Sequence, residues 1–264
     1  SGLHSPTIQW LRNNNPITGA NSNSYTLSQD DVNNLISVNI SYTDQHGTPE
    51  QFSLTTSSNV LNIDNPATAN LQISGTPQEG HTLSASLSNL ADPDGSPTTS
   101  FQWQTLHSDG SWNNIQGAQS SSFSIPDDQS LVGASLRLLV TTTDPLSGQS
   151  SFVSDTLTVA NSNDDPLHNI SINGQTIEGS TLSVDLSSLT DQDGIPSSGL
   201  HSPTIQWLRN NNPITGANSN SYTLSQDDVD SLISVNISYT DQHGTAEQFS
   251  LTTGNIALRS EIDT

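Results

Sequence analysis

The sequence predicts an all-β chain built of tandem β-sandwich domains, and three observations carry that expectation. Residues 1–56 recur as residues 198–253 with three changes, Asn33 to Asp230, Asn34 to Ser231 and Pro49 to Ala246. Short stretches of apolar and polar alternation run through both copies, which is the pattern of a strand with one buried face. Turn signals such as Asp94-Gly95, Asp109-Gly110 and Asp193-Gly194 punctuate the chain, and no segment carries a helical period.

A diverged copy of the same unit lies between the two near-identical ones. Glu79-Gly80-His81-Thr82-Leu83 matches Glu178-Gly179-Ser180-Thr181-Leu182, and Asp92-Pro93-Asp94-Gly95 matches Asp191-Gln192-Asp193-Gly194. Phe101-Gln102-Trp103 matches Ile205-Gln206-Trp207, and Ile115-Gln116-Gly117-Ala118 matches Ile214-Thr215-Gly216-Ala217. Anchors in one order make three repeats of domain size, too long for solenoid turns. The expected domains are 1–60, 61–166 and 167–264, separated by the polar, proline-containing stretches 62–66 and 161–166. Such short linkers bring neighbouring domains close together. The first domain is expected to lack its N-terminal strands, the equivalent of residues 168–197. Those residues are either cleaved or disordered, or another chain supplies them by β-addition.

Within the repeats, Ile8 and Trp10 alternate with polar neighbours, Tyr25-Thr26-Leu27 forms a short strand pattern, residues 35–42 alternate over their whole length, and 51–55 close the unit. In the third repeat the strands are expected as A at 170–172, B at 181–186, C at 204–208, E at 221–224, F at 233–239 and G at 248–252. A Trp on strand C, an Asp-rich turn before a long strand F and about seven short strands per repeat describe an immunoglobulin-like, or cadherin-like, sandwich, here in an extended array. There is no cysteine, so Trp103 and Trp207 fill their cores by packing alone.

Composition narrows the function classes. The chain has 26 acidic residues against four arginines and no lysine, a formal charge of −22. Phosphate binding needs clustered cations, so nucleic acid is excluded as a partner, and an anionic membrane surface repels such a chain. No apolar run is long enough for membrane insertion. The remaining partners are neighbouring repeats of the same chain and a cell-surface or glycan target, with the chain itself monomeric. Charge of this sign attracts divalent cations wherever carboxylates converge.

Sandwich topology brings carboxylates together at the domain junctions. The loops between B and C and between F and G lie at the entry pole, and those between A and B and between E and F at the exit pole. Between the second and third repeats this gathers Glu79, Asp127, Asp128, Asn163, Asp164, Asp165, Asp191, Asp193 and Asp241. Between the first and second it gathers Asp30, Asp31, Asp64, Asn65, Asp92, Asp94 and Asp144. Unneutralised, these groups repel one another, whereas Ca2+ takes about six to eight oxygens in flexible geometry. The plainer reading is that Asp and Asn are ordinary turn formers.

The Glu-Gly-x-Thr-Leu entry, the Asp-x-Asp-Gly loop, the Gln-Trp-x-Arg strand, the Tyr-Thr-Asp-x-x-Gly-Thr turn and the Asn-Asp-x-Pro linker together resemble the tandem immunoglobulin-like or cadherin-like repeats of giant bacterial surface adhesins of the RTX type. The likeness covers nearly the whole chain. It implies extender modules of a secreted, surface-displayed adhesin, rigidified by Ca2+ at the linkers and serving cell adhesion or biofilm formation. Cadherins use an Asp-x-Asn-Asp-Asn linker, and the stretches Asn163-Asp164-Asp165 and Asp64-Asn65 depart from it. The Gly-Gly-x-Gly-x-Asp nonapeptide of β-rolls is absent from this sequence.

Two other function classes stand beside this one. Asp44 and His46, repeated as Asp241 and His243, lie among serines, but a nucleophile turn and an oxyanion-hole motif are missing, and the other histidines lack zinc-ligand spacing. The chain is therefore expected not to be an enzyme. A ligand-binding module is the alternative function. Trp112, unique to the second repeat and expected to be exposed and ringed by Asn and Gln, either stacks on a glycan or covers a core edge.

Overall fold

The computed structural model describes residues 6–258. Among them are nineteen β-strands and two three-residue 3-10 turns, and no α-helix. The strands of each sheet pair antiparallel.

Strands β1 (Thr7–Arg12), β2 (Asn15–Pro16), β3 (Ile36–Thr43) and β4 (Pro49–Thr55) form a sheet in the order β2-β1-β3-β4. The second repeat contributes β5 (Thr68–Ser74), β6 (Thr82–Ala91), β7 (Thr98–Leu106), β8 (Trp112–Asn114), β9 (Ser122–Ser124), β10 (Ser135–Thr143), β11 (Gln149–Val153) and β12 (Leu157–Thr158). Its two sheets run β5-β6-β9 and β11-β10-β7-β8, the second with β12 also paired to β10. The third repeat contributes β13 (Ile172–Asn173), β14 (Thr181–Val184), β15 (Thr204–Arg209), β16 (Asn212–Pro213), β17 (Ser221–Thr223), β18 (Leu232–Thr240) and β19 (Ala246–Asn255), in sheets β13-β14-β17 and β16-β15-β18-β19. A three-stranded sheet beside a four-stranded one is the sandwich that the alternating pattern predicts.

The chain divides into two compact units. Among the described residues, one holds 6–74, 84–123 and 136–156; the other holds 75–83, 124–135 and 157–258. The division cuts the second repeat across its strands, so each unit contains one of the two inter-repeat linkers whole.

The core of the third repeat shows why the sequence folds this way. Ile233, Val235, Ile237 and Tyr239 alternate along β18 and are all buried, together with Leu182, Val184 and Trp207. The indole of Trp207 donates to the carbonyl of Ser219 at 2.9 Å, which satisfies its only polar atom inside the core. The preceding glutamine fixes the next turn. Gln206 Nε2 donates to the carbonyls of Trp207 and Ile214 at 2.8 and 2.9 Å, as Gln102 does to Trp103 and Ile115. The glycine of the Ile-x-Gly-Ala motif sits at φ 79° in Gly216 and 78° in Gly117, a left-handed conformation that explains its identity.

The expected strand at Tyr25-Thr26-Leu27 does not form, although Ser24-Tyr25-Thr26-Leu27 is identical to Ser221-Tyr222-Thr223-Leu224. In the third repeat that segment is β17, paired with β14 through Leu182 and Tyr222. No strand among the described residues offers the first repeat such a partner, and an isolated strand has nowhere to place its backbone donors. The same difference changes burial. Trp207 and Ile237 are fully buried, whereas their equivalents Trp10 and Ile40 are only half-buried, and Phe52 and Leu54 are exposed.

Candidate metal centres

The first centre lies in the unit that contains the linker between β4 and β5. Asp64 comes from that linker, Asp94 from the β6–β7 turn and Asp144 from the β10–β11 turn, and one oxygen of each lies within 4.8 Å of the others. Local hydrogen bonds aim these groups. Asp144 Oδ1 accepts the N–H groups of Leu146 and Gly148 at 2.5 and 3.1 Å, closing its own turn and turning Oδ2 the other way. That Oδ2 is buried without a hydrogen-bond partner. Asp94 accepts the N–H of Asn65 at 2.6 Å, and its own N–H donates to Asp92 at 2.9 Å. Asn65 and Asp92 thus stand beside the centre as positioning groups.

The second centre lies wholly in the other unit. Glu79 comes from the β5–β6 turn, Asp164 from the linker after β12 and Asp193 from the β14–β15 turn, again with one oxygen each within 4.8 Å. Glu79 and Asp193 are buried, at 1% and 2% exposure. Asp193 repeats the geometry of Asp94: it accepts the N–H of Asp164 at 2.8 Å and donates to Asp191 at 2.8 Å. Asp191 in turn accepts the Tyr239 hydroxyl at 2.5 Å. Asp164 Oδ2 is a second buried oxygen with no partner.

Electrostatics agree with the geometry. Partial desolvation raises the carboxyl of Asp64, itself exposed on the linker, above its ordinary range, and Asp144, Asp94 and Asp92 add to the shift. Burial likewise raises Glu79, with Asp164, Asp193 and Asp127 pushing the same way. Asp164 is raised by burial and then by Asp193, Asp127, Asp191 and Asp165. Such groups resist being charged together until a cation joins them.

The remaining sequence candidates fall elsewhere or at the margin. Asp127 is exposed, with its Oδ1 2.6 Å from where a Cβ on Gly80 would sit. Asp128 is exposed and caps Ser130 N–H at 2.9 Å, while Asp165 is exposed and acts on Asp164 only through its charge. Asn163 donates to Glu247 at 3.1 Å. Asp241 is the counterpart of Asp144: its Oδ1 accepts the N–H groups of His243 and Thr245 at 2.8 Å, and its buried Oδ2 has no partner, yet it joins neither group of three. In the first repeat Asp44 likewise accepts the His46 and Thr48 N–H groups at 2.8 Å, the bonding of a turn former.

Asp30 and Asp31 are not gathered into the first centre. Asp30 is mostly exposed, 3.8 Å from Arg12. Asp31 is fully buried, 2.7 Å from Arg12 Nε, and accepts the Tyr25 hydroxyl and the Ser28 N–H, both at 2.8 Å. Burial works against its charge, but the Ser28 N–H, Arg12 and Tyr25 outweigh it and hold the carboxyl below its ordinary range. Asp228 repeats this arrangement with Arg209, Tyr222 and Ser225. Trp112 is half-buried on β8, with the Arg137 guanidinium carbon 4.2 Å above its ring.

Two residues belong to the centres without having been singled out. Gln129 Nε2 lies 2.9 Å from both Asp193 Oδ1 and Asn161 Oδ1 and 3.3 Å from Glu79, tying the second centre together. Its place directly after Asp127-Asp128 was the available signal. Gly148 makes room at the first centre, since a Cβ there would collide with both Asp64 and Asp144.

No protein-family model matches the chain, and no curated protein matches it. Among solved structures it is similar to one described as a Ca2+-stabilized adhesin that helps an Antarctic bacterium reach out and bind ice, at 10% identity and a TM-score of 0.33, over 98% of this chain and 66% of that one. It is similar also to a tetra-tandem repeat in the extending region of a large adhesion protein, at 17% identity and a TM-score of 0.29, over 94% and 66%. A third is the extracellular cadherin domains 1–5 of protocadherin gamma B2, at 9% identity and a TM-score of 0.37, over 97% and 53%. The chain therefore spans about two thirds or less of these structures. At these scores the fold rests on the chain's own sheets.

Proposed function

We propose that the chain is a run of extender repeats from a secreted bacterial surface adhesin, stiffened by Ca2+ at the linkers and serving cell adhesion or biofilm formation. The repeats are 1–60, 61–166 and 167–264, and each works on its neighbours rather than on a substrate. The observation that carries this reading is the pair of buried, unpartnered oxygens, Asp144 Oδ2 and Asp164 Oδ2, each within a group of three carboxylates. A buried carboxylate oxygen without a partner is costly, and two neighbouring carboxylates raise the cost. A hard divalent cation removes both penalties, and an all-oxygen donor set without sulfur or imidazole suits Ca2+ better than a transition metal. Asp64, Asp94 and Asp144 would hold one ion, and Glu79, Asp164 and Asp193 another. Bound there, the ion would fix each linker to the turns around it.

The reading is non-enzymatic. Neither centre has a nucleophile paired with a base, and the Asp44 carboxylate accepts the backbone N–H groups of its own turn. Thermal denaturation with and without chelator tests the proposal. Excess Ca2+ should raise the melting temperature in proportion to the logarithm of its concentration, and Mg2+ should do so much less. An unchanged melting temperature in the two conditions would remove the ion from the account.

A further inference from the structure

The outer face of the second repeat carries a group of side chains that neither neighbouring repeat has and that the spacer reading does not use. Facing pairs on the central strands show the change. Leu11 faces Ser37 in the first repeat and Leu208 faces Ser234 in the third, whereas Gln104 faces Arg137 in the second. The next strand differs too. β16 presents only Asn212 and Pro213, while β8 is longer and sets Asn114 opposite Gln104 and Trp112 opposite Leu106. Strand alternation puts Trp112, Asn114, Gln104, Leu106 and Arg137 on one face, away from Trp103 and the core.

Arg137 is held at its Nε edge and open at its Nη edge. Its Nε donates to Gln104 Oε1 at 2.8 Å, and Gln104 Nε2 donates to Asn114 Oδ1 at 2.8 Å. The guanidinium carbon stands 4.2 Å from the centroid of the Trp112 ring. Arg12 and Arg209 each bridge a buried aspartate, but among the described residues no carboxylate lies within 4.0 Å of Arg137 and no acceptor meets its Nη atoms. In a chain of charge −22 a cation without a carboxylate partner is unusual. Its planar Nη edge matches a carboxylate in bidentate fashion. Beside it, Leu106 (41% exposed) and the indole offer an apolar patch suited to a pyranose face.

We propose that this face binds a carboxylate-bearing saccharide, with the acid group on the Nη edge of Arg137, the sugar ring against Leu106 and Trp112, and Asn114 available to a hydroxyl. The fixed guanidinium costs the ligand little ordering, and the net negative charge of the chain keeps affinity low and salt-sensitive. Repetition on neighbouring molecules of a surface layer would compensate for weak single contacts.

The test follows the indole Nε1–H of Trp112 and the Nε–H of Arg137 by two-dimensional NMR on the full chain, with Ca2+ and with chelator. The probes are a tetrasaccharide containing glucuronic acid, the same tetrasaccharide with its carboxyls reduced to alcohols, sialyllactose and lactose. At least one acidic probe should shift both signals saturably in both conditions, and its neutral counterpart should bind about tenfold more weakly or worse. Arg137→Gln should lose the response while the chain stays folded, and Arg137→Lys should recover only part of it. A response from the uronate alone or from sialyllactose alone identifies the class of acid. The proposal is overturned if no acidic probe shifts these signals at about 10 mM, if reduced probes bind equally, or if Arg137→Gln binds as the parent does. A response lost only with chelator assigns the carboxylate to a bound cation and also overturns it.

Discussion

The carboxylate of Asp64 occupies the space that a Cβ on Gly148 would need, and Asp144 Oδ2 borders the same space. The first centre therefore depends on a residue with no side chain as much as on its ligands. At the equivalent turn of the third repeat Thr245 stands in place of Gly148, and its linker brings Asn163 to Glu247 instead.

Gly148→Ala should displace Asp64 while leaving the turn backbone allowed, since Gly148 does not hold the left-handed conformation. Its expected effect is a loss of about tenfold or more in Ca2+ affinity at one class of site, with the other unchanged. Calorimetric titration of parent and variant checks this.

Asp228→Ala should destabilise the third repeat by about 3 kcal/mol, because it leaves Arg209 without its counter-ion and the Tyr222 hydroxyl and Ser225 N–H without their acceptor. Ca2+ binding should not change. Urea denaturation and a calcium titration of the same variant separate the two effects.

The pH dependence should have opposite signs at the two kinds of carboxylate. Glu79, Asp164 and Asp64 are raised, so the folded chain holds their protons more tightly than the unfolded chain. Without cation, their contribution to stability is largest in acid and is lost as pH rises through their folded pKa. Asp31 and Asp228 are lowered, so theirs is present above the ordinary carboxylate range and is lost as pH falls below it. In chelator, Asp64→Asn with Asp164→Asn should therefore flatten the decline in melting temperature from about pH 4.5 to pH 7.5. A decline equally steep in the double variant would show that the centres do not cause it.

Near-identical repeats allow a further comparison. Ile237→Ala removes a fully buried side chain and should cost about 3–4 kcal/mol, whereas Ile40→Ala, half-buried in the first sheet, should cost about 1–2 kcal/mol. Urea denaturation of the two variants measures the difference. Acrylamide should likewise quench Trp10 more than Trp103 or Trp207 in single-tryptophan chains.

The same comparison shows what the sequence could and could not reveal. Alternation at Ile233, Val235, Ile237 and Tyr239 located β18 to within a residue, because one buried face imposes a period of two. The glutamine and tryptophan of strand C and the left-handed glycine were equally readable. Tyr25-Thr26-Leu27 was not, since pairing requires a partner strand that lies elsewhere in the chain. Among the carboxylates, Asp64, Asp94, Asp144, Glu79, Asp164 and Asp193 came together as loop topology suggested. Asp31 could not be told from them by residue type. Its difference lies in Arg12 and Tyr25, which reach it from 19 and 6 residues away. Gly148 was silent because its role, empty space, exists only in three dimensions, and Gln129 was marked only by its place after Asp127-Asp128, since a bridging amide is not legible from residue type.

Isothermal titration of the Ca2+-free chain with Ca2+, beside the Asp144→Asn and Asp164→Asn variants, tests the central claim most directly. The parent should bind at two independent classes of site, and each variant should lose one class while remaining folded. Heats no greater than those of dilution, or parent-like binding in the variant that combines both substitutions, would contradict it.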